Sequence, residues 1–301
     1  MFIDSHLHFI PKDIASLSTF YKGIWQDKEK LFSFLEENRI KKALIVYPFT
    51  DAYLNLKNGF EEEVEIYNKN IELLIKENEK IVAFGLVDWR KKNLDAHLKD
   101  LKMRGFKGIC LPSSFEGKFF VKEMFNFFET IQKHNLVIFI HPQTRNPVGF
   151  ERVKDALLTP VLEYSFDISL FLGLLLTEEI LERFKIKFIF AFLAGVVPFL
   201  KDRFDRVYTM LRKRGLVKDL GNLPSSILKN VYVDTSGCNL AQIKMAIDLF
   251  GEEKILWGSD YPVNLNVEEN LKMLEELGEK TKTKIIYENF FQIFNLNENI
   301  S

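Results

Sequence analysis

The chain has 301 residues, of which 47% are hydrophobic and 28% charged, and its formal net charge is −1. This composition predicts a globular protein with a large core, and the small net charge excludes a general electrostatic attraction to nucleic acids or anionic membranes. We therefore expect neither a nucleic acid nor a membrane among its partners. With two cysteines, Cys110 and Cys238, in apolar segments and no signal-type segment at the start, we expect a cytoplasmic protein.

Eight short apolar runs alternate with amphipathic segments along the chain, and each run predicts a strand. The first occupies residues 1–8 and ends in two histidines. The other seven are Lys42–Val46, Ile81–Val87, Gly108–Leu111, Val137–Ile140, Lys187–Ala191, Val231–Asp234 and Ile255–Trp257. The apolar spacing between them predicts helices. These include Lys28–Glu37, Lys118–His134, Asp167–Arg183 and Val197–Lys213.

The predicted strands are apolar at nearly every position and not only at alternate positions, which is typical of parallel strands covered on both faces. Eight strand–helix units predict a single (β/α)₈ TIM barrel over residues 1–301, with its active site at the C-terminal ends of the strands. A doubly wound open sheet is the alternative. It is less well supported, because no glycine-rich phosphate-binding turn follows any of the strands.

Three histidines and one aspartate lie where strands of such a barrel would end. His6 and His8 are two residues apart on strand 1 and so project to the same side, His141 ends strand 5, and Asp260 follows strand 8. Three imidazoles and a carboxylate suit Zn²⁺, with Mn²⁺ and Fe²⁺ as the other candidates. Asp260 is predicted to be a metal ligand, a catalytic base, or both. The alternative for His6 and His8 is a pair of surface histidines.

The motifs HLH after strand 1, IHP after strand 5 and WGSDYP after strand 8 resemble those of the amidohydrolase superfamily. The similarity is greatest to its branch of amidohydrolase-related hydrolases and decarboxylases, which includes the aminocarboxymuconate-semialdehyde decarboxylases, and it extends over essentially the whole chain. The resemblance implies a mononuclear metal site formed by His6, His8, His141 and Asp260, and it makes a homodimer plausible.

The chain departs from the family pattern after strand 6. The family has a histidine there, followed by a small residue and two glycines, whereas this chain reads Ala-Phe-Leu-Ala-Gly over residues 191–195. Phe192 therefore stands where a catalytic histidine is expected. A phenylalanine cannot transfer a proton, and general acid–base catalysis typically contributes 10²–10⁴-fold to a rate.

The favoured function is a metal-dependent hydrolase that acts on a small ester, lactone or amide through a metal-activated water, with Asp260 transferring the proton. The first alternative is a non-oxidative decarboxylase of a small unsaturated or aromatic carboxylic acid. Arg145 is then the candidate for binding the substrate carboxylate, and Arg203 and Arg206 are candidates if a dimer partner supplies them. The second alternative is a barrel that keeps its metal but has lost catalysis through Phe192.

Two further aspartates lie near the predicted site. Asp4 is on strand 1 and points away from the histidines, so we expect it to pack or to support them. Asp234 ends strand 7 and is expected either to orient the substrate or to cap the loop that follows.

Overall fold

The structure, a computed structural model, describes residues 2–148 and 154–294. Eight parallel strands pair in sequence order, β1 to β8, as the sequence predicts for a TIM barrel. Their bounds are β1 Phe2–Leu7, β2 Ile40–Ile45, β3 Ile81–Leu86, β4 Gly108–Pro112, β5 Val137–His141, β6 Phe188–Phe190, β7 Tyr232–Asp234 and β8 Ile255–Leu256.

The barrel closes between β8 and β1. The backbone N–H of Ser5 donates to the carbonyl of Trp257 at 2.8 Å, and the N–H of Asp260 donates to the carbonyl of His6 at 2.8 Å. A parallel bridge joins Leu7 and Tyr261 just beyond. These bonds connect the segment carrying Asp260 directly to the strand carrying the two histidines, so closure of the barrel itself brings three of the predicted ligands together.

Helices surround the strands, and most of them connect one strand to the next along the chain. They are α1 Lys12–Ala15, α2 Lys28–Glu37, α3 Phe60–Glu77, α4 Leu94–Met103, α5 Phe125–His134, α6 Tyr164–Thr177, α7 Ile180–Arg183, α8 Lys201–Lys213, α9 Pro224–Leu228, α10 Leu240–Phe250, α11 Val267–Met273, α12 Glu279–Thr283 and α13 Asn289–Phe294. A π-helical turn, Thr159–Glu163, leads directly into α6.

Side chains of the strands fill the barrel and pack against the helices, and the strands β1, β3, β4 and β5 are buried over their whole length. This is why the apolar runs do not alternate. The predicted helix Asp167–Arg183 is divided into α6 and α7, because Glu179 adopts a left-handed conformation with φ of 61°. The predicted helix Lys118–His134 is helical as α5 only from Phe125.

The segment Thr159–Thr177 is long and apolar enough, by length and composition, to cross a membrane. Its mean hydropathy is 1.4, and 44% of it is buried inside the protein. Its inward face packs on the barrel through Ile168, Phe171 and Leu175, which are fully buried. The core helix of a globular domain has the same properties.

Candidate metal centre

The side chains of His6, His8, His141 and Asp260 meet at the C-terminal mouth of the barrel. The Nε2 atoms of His6 and His8 are 3.1 Å apart. Asp260 Oδ1 lies 3.2 Å from Nε2 of His8 and 3.6 Å from Nε2 of His6. His141 completes the group, with one ligand atom from each of the three histidines lying within 4.8 Å of the others.

The opposite nitrogen of each imidazole faces an atom that can only accept a hydrogen bond. His6 Nδ1 donates to Asp234 Oδ2 at 2.9 Å, His8 Nδ1 to the carbonyl of Val46 at 2.9 Å, and His141 Nδ1 to the carbonyl of Pro142 at 2.9 Å. Each ring therefore carries its proton on Nδ1, which leaves the Nε2 lone pairs directed at one another.

This arrangement fits a bound cation. Three converging lone pairs and a carboxylate oxygen repel one another unless a positive charge lies between them, and imidazoles whose second nitrogen donates to a carboxylate or carbonyl are the usual form of metal-bound histidine. Of the predicted ligands, His6, His8 and His141 form a group that could hold a metal ion, and Asp260 Oδ1 lies within 3.6 Å of two of them. The donor set of nitrogen and oxygen suits Zn²⁺, Mn²⁺ or Fe²⁺.

The protonation of the histidines depends on their burial and on the carboxylates beside them. Burial lowers the pKa of His8, and burial together with the neighbouring His8 and His6 lowers the pKa of His141 well below its ordinary value. Burial acts to lower the pKa of His6 as well, but the Asp234 carboxylate opposes it and the net shift is upward. His8 and His141 are therefore neutral, as metal ligands must be.

Two aspartates support the centre. Asp234 has one carboxylate oxygen on His6, while the other accepts the backbone N–H groups of Ser236 at 2.9 Å and Phe192 at 3.3 Å. Asp4 accepts the backbone N–H of His6 and that of Ser259, and its burial raises its pKa to about 7. Asp234 thus orients a predicted ligand, a role that the sequence analysis did not assign. Its position at the end of β7, matching those of His141 and Asp260, was the available signal.

The corner after β6 is apolar and has an unusual backbone. Phe192, Leu193, Ala194 and Gly195 all have φ between 53° and 66°, the left-handed region that non-glycine residues rarely occupy. The ring of Phe192 lies 5.6 Å from the ring of His6 and 5.9 Å from that of His141. The side chain at this corner therefore faces the metal centre but offers it no polar group.

Aromatic side chains from the loop after β1 form the opposite wall. Trp25 stacks on the His8 ring, with centroids 5.7 Å apart and planes 26° apart, and Tyr21 packs edge-on against Trp25. Neither residue was predicted as part of the site. No spacing rule connects Trp25 to His8, because the contact depends on the path of the intervening loop.

In the described parts of the chain, no hydrogen bond or salt bridge joins the predicted arginines to the four ligands. Arg145 is half-buried on the loop after β5, and none of the carboxylates in the described ranges forms a salt bridge with it. Burial raises the pKa of the Tyr53 phenol, and the positive charge of Arg145 opposes that shift. Arg203 and Arg206 are exposed on α8, on the outside of the barrel.

The chain is similar to known proteins over nearly its whole length. A family model described as Amidohydrolase matches residues 3–291. The 2-amino-3-carboxymuconate-6-semialdehyde decarboxylase of Dictyostelium discoideum is 22% identical over 335 aligned positions, which cover 99% of this chain and 92% of that protein.

Two crystal structures share the fold at low identity. The 5-carboxyvanillate decarboxylase from Sphingomonas paucimobilis superposes with a TM-score of 0.81 at 15% identity, covering 98% of this chain and 99% of that one. The 5-carboxyvanillate decarboxylase from Novosphingobium aromaticivorans, complexed with manganese and 4-hydroxy-3-methoxy-5-nitrobenzoic acid, has a TM-score of 0.76 at 19% identity, covering 91% and 82% of the two chains.

Proposed function

The chain belongs to the amidohydrolase family of enzymes, and from this premise we propose that it is a metal-dependent decarboxylase of a small unsaturated or aromatic carboxylic acid. The observation that carries the proposal is the convergence of three imidazole lone pairs and the Asp260 carboxylate at the barrel mouth. The relatives with named activities are decarboxylases. They support this reading over the hydrolase that the sequence analysis favoured.

One divalent cation would be held by His6, His8, His141 and Asp260. When bound, it supplies positive charge that stabilises the electrons left behind as CO₂ departs. The sequence favours Zn²⁺, whereas the related structure from Novosphingobium aromaticivorans contains manganese. Reconstitution with each of the two ions distinguishes them.

The protein's own residues would perform the remaining tasks. Decarboxylation breaks the bond between the carboxylate carbon and the rest of the substrate, and the electron pair left on the substrate carbon must take up a proton. Phe192 cannot donate one, so we assign this transfer to Asp260, which lies at the mouth with 8% of the residue exposed. Its carboxylate would first take up a proton from water or from an acidic group of the substrate and would then pass that proton to the carbon from which CO₂ departs. Trp25 and Phe192 would flank the substrate on opposite sides and exclude water from it.

Arg145 is proposed to hold the substrate carboxylate before it leaves. It lies four residues beyond His141, on the loop after β5, and within the described ranges no carboxylate forms a salt bridge with it. A guanidinium group binds a carboxylate through two parallel hydrogen bonds, which fixes the orientation of the bond to be broken.

A second copy of the chain is proposed to pack against α8. This helix exposes Val207 and Met210 beside Arg203, and Phe199 just before it is 73% exposed. Apolar side chains exposed together mark an interaction surface more often than chance placement does. In a homodimer, Arg203 of one copy could approach the mouth of the other, and the mass of the protein in solution by light scattering tests this.

The proposed activity is tested by measuring CO₂ release and ester, lactone and amide hydrolysis on protein reconstituted with Zn²⁺ or Mn²⁺. The acids to be tested are hydroxybenzoic acids and short unsaturated dicarboxylic acids. We expect metal-dependent CO₂ release that is lost in Asp260→Asn and has a raised KM in Arg145→Gln.

The controls separate the alternatives. If the site lies within one chain, the Arg206→Gln variant should have the same KM and the same rate of CO₂ release as the native protein, because Arg206 is exposed on the outside of the barrel. Hydrolysis without CO₂ release would replace the decarboxylase with the hydrolase. Tight binding of the acids without any product would mean that the barrel keeps its metal and has lost catalysis.

A further inference from the structure

Gln143 and Glu163 are buried side chains in which, within the described parts of the chain, both polar atoms lack a hydrogen-bond partner. Gln143 is 0% exposed and both its amide nitrogen and its amide oxygen are unpaired. Glu163 is 3% exposed and both of its carboxylate oxygens are unpaired. Buried polar groups in native proteins nearly always have a partner, so four unpaired atoms of two side chains indicate that something else binds there.

The two residues lie on segments that touch. Gln143 is two residues beyond His141, and Thr144 next to it accepts a hydrogen bond from the hydroxyl of Tyr164 at 3.4 Å. Tyr164 directly follows Glu163, the last residue of the π-helical turn before α6. Turns of this kind are frequent at functional sites. The loop after β5 and the start of α6 therefore bring the unpaired amide and the unpaired carboxylate to the same side of the barrel mouth.

The direction of Glu163 follows from its neighbour on the helix. Asp167 lies four residues on, so it shares the face of Glu163 one turn further along. Its carboxylate accepts hydrogen bonds from the hydroxyls of Ser113 and Ser114, at the end of β4, and from the backbone N–H of Val148 at 3.0 Å. The face that carries both acids is thus turned towards the C-terminal ends of β4 and β5. Asp167 is fully paired there, and Glu163 is not.

We propose that Gln143 and Glu163 form the polar end of the substrate pocket and select acids that carry a hydroxyl or amino group away from the metal-bound end. This inference rests on the proposed function, since it takes the pocket to hold a carboxylic acid. A carboxylate accepts a hydrogen bond from such a donor, and the amide of Gln143 can donate to the same oxygen or nitrogen. Phe192 has no polar atom, and Trp25 stacks its ring on His8, so we assign the polar discrimination to Gln143 and Glu163.

Binding to matched ligands tests the proposal. The probes are benzoate, 2-, 3- and 4-hydroxybenzoate and 2,6-dihydroxybenzoate, titrated calorimetrically into the metal-reconstituted protein. We expect at least one hydroxylated acid to bind about ten- to a hundredfold more tightly than benzoate, the range for a hydrogen bond to a charged group. Glu163→Leu should reduce this ratio to below about twofold, whereas Glu163→Gln, which keeps an acceptor, should retain part of it.

The matched control is Asp167→Asn, on the same helix face. Without ligand, Glu163→Leu should melt at the same temperature as the native protein or higher, because it removes a buried polar side chain that has no hydrogen-bond partner, whereas Asp167→Asn should melt lower. A lower melting temperature in Glu163→Leu, or an unchanged ligand preference in it, would overturn the inference.

The failures of the two proposals differ. If benzoate binds and no hydroxylated acid is preferred, this inference is wrong and the carboxylic-acid site stands. If no acid binds, the proposed function is wrong and the inference falls with it.

Discussion

Two sides of the barrel mouth differ in how their side chains are supported. At the ends of β1 and β5, every imidazole has a hydrogen-bond acceptor behind it, from Asp234, Val46 or Pro142. At the corner after β6, the side chain that faces the same centre is Phe192, which has no polar atom to offer. The backbone of that corner is nevertheless held, since Asp234 accepts the N–H of Phe192.

The difference shows that the backbone conformation of the corner after β6 can be kept without a side chain there that transfers protons. Leu193 and Ala194 adopt left-handed backbone conformations, with φ of 53° and 60°, that cost about 1–2 kcal/mol for each non-glycine residue. The fold keeps this strained corner even without the histidine that the family pattern places there. We therefore expect the three histidines and Asp260 to determine metal binding. We expect the corner after β6 to limit proton transfer.

The largest effect is expected from restoring the missing side chain. Phe192→His places an imidazole beside the metal centre and should raise the rate of CO₂ release by about 10²–10⁴-fold, or about 3–5 kcal/mol of barrier, with little change in metal content. Steady-state kinetics on the metal-reconstituted variant measure this. A rate at or below that of the native protein would mean that proton transfer at this corner does not limit the reaction.

A methyl group at Gly195 should damage the corner without touching the ligands. A Cβ there would lie 2.1 Å from the carbonyl oxygen of Ser165, and φ is +66°. Gly195→Ala should lower the free energy of unfolding by about 2–4 kcal/mol, measured by urea denaturation. The matched control is Gly215→Ala, which has φ of +67° and nothing within 4 Å of the added Cβ. It should cost only about 1 kcal/mol. Equal losses in both would show that the corner is not closely packed.

Asp234→Asn tests the support on the ligand side. The amide nitrogen of asparagine would face His6 Nδ1 or the backbone N–H groups, so the hydrogen bond that fixes the His6 tautomer is weakened. We expect metal affinity to fall by about 10–100-fold, measured by competition with a chelating dye. Asp205→Asn is the control, because Asp205 binds Ser225 outside the barrel mouth. An unchanged metal affinity in Asp234→Asn would show that metal binding does not depend on the hydrogen bond that orients His6.

The smallest effect is expected at Ala194. Ala194→Gly removes left-handed strain and should raise the free energy of unfolding by about 0.5–1 kcal/mol. The same change at Ala191, which has φ of −61° and is equally buried, should lower it by a similar amount. Urea denaturation of both variants gives the signs, and a loss at Ala194 would contradict the view that this corner is strained.

The sequence predicted the barrel and the four converging residues because both follow from local rules. Apolar runs locate the strands, and barrel topology brings the ends of β1, β5 and β8 together. The contact of Trp25 with His8 depends on the path of the loop after β1, which no periodicity encodes. The break between α6 and α7 at Glu179 was missed for the same kind of reason, since a single residue in a left-handed conformation interrupts an otherwise continuous helical pattern.

The central claim is that His6, His8, His141 and Asp260 hold one divalent metal. It is tested most directly by elemental mass spectrometry on untagged protein purified without chelators, beside the double variant His6→Ala/His8→Ala, with circular dichroism confirming that both are folded. We predict about one zinc or manganese ion per native chain and none in the variant. Absence of metal from the native protein after reconstitution with either ion would contradict the account.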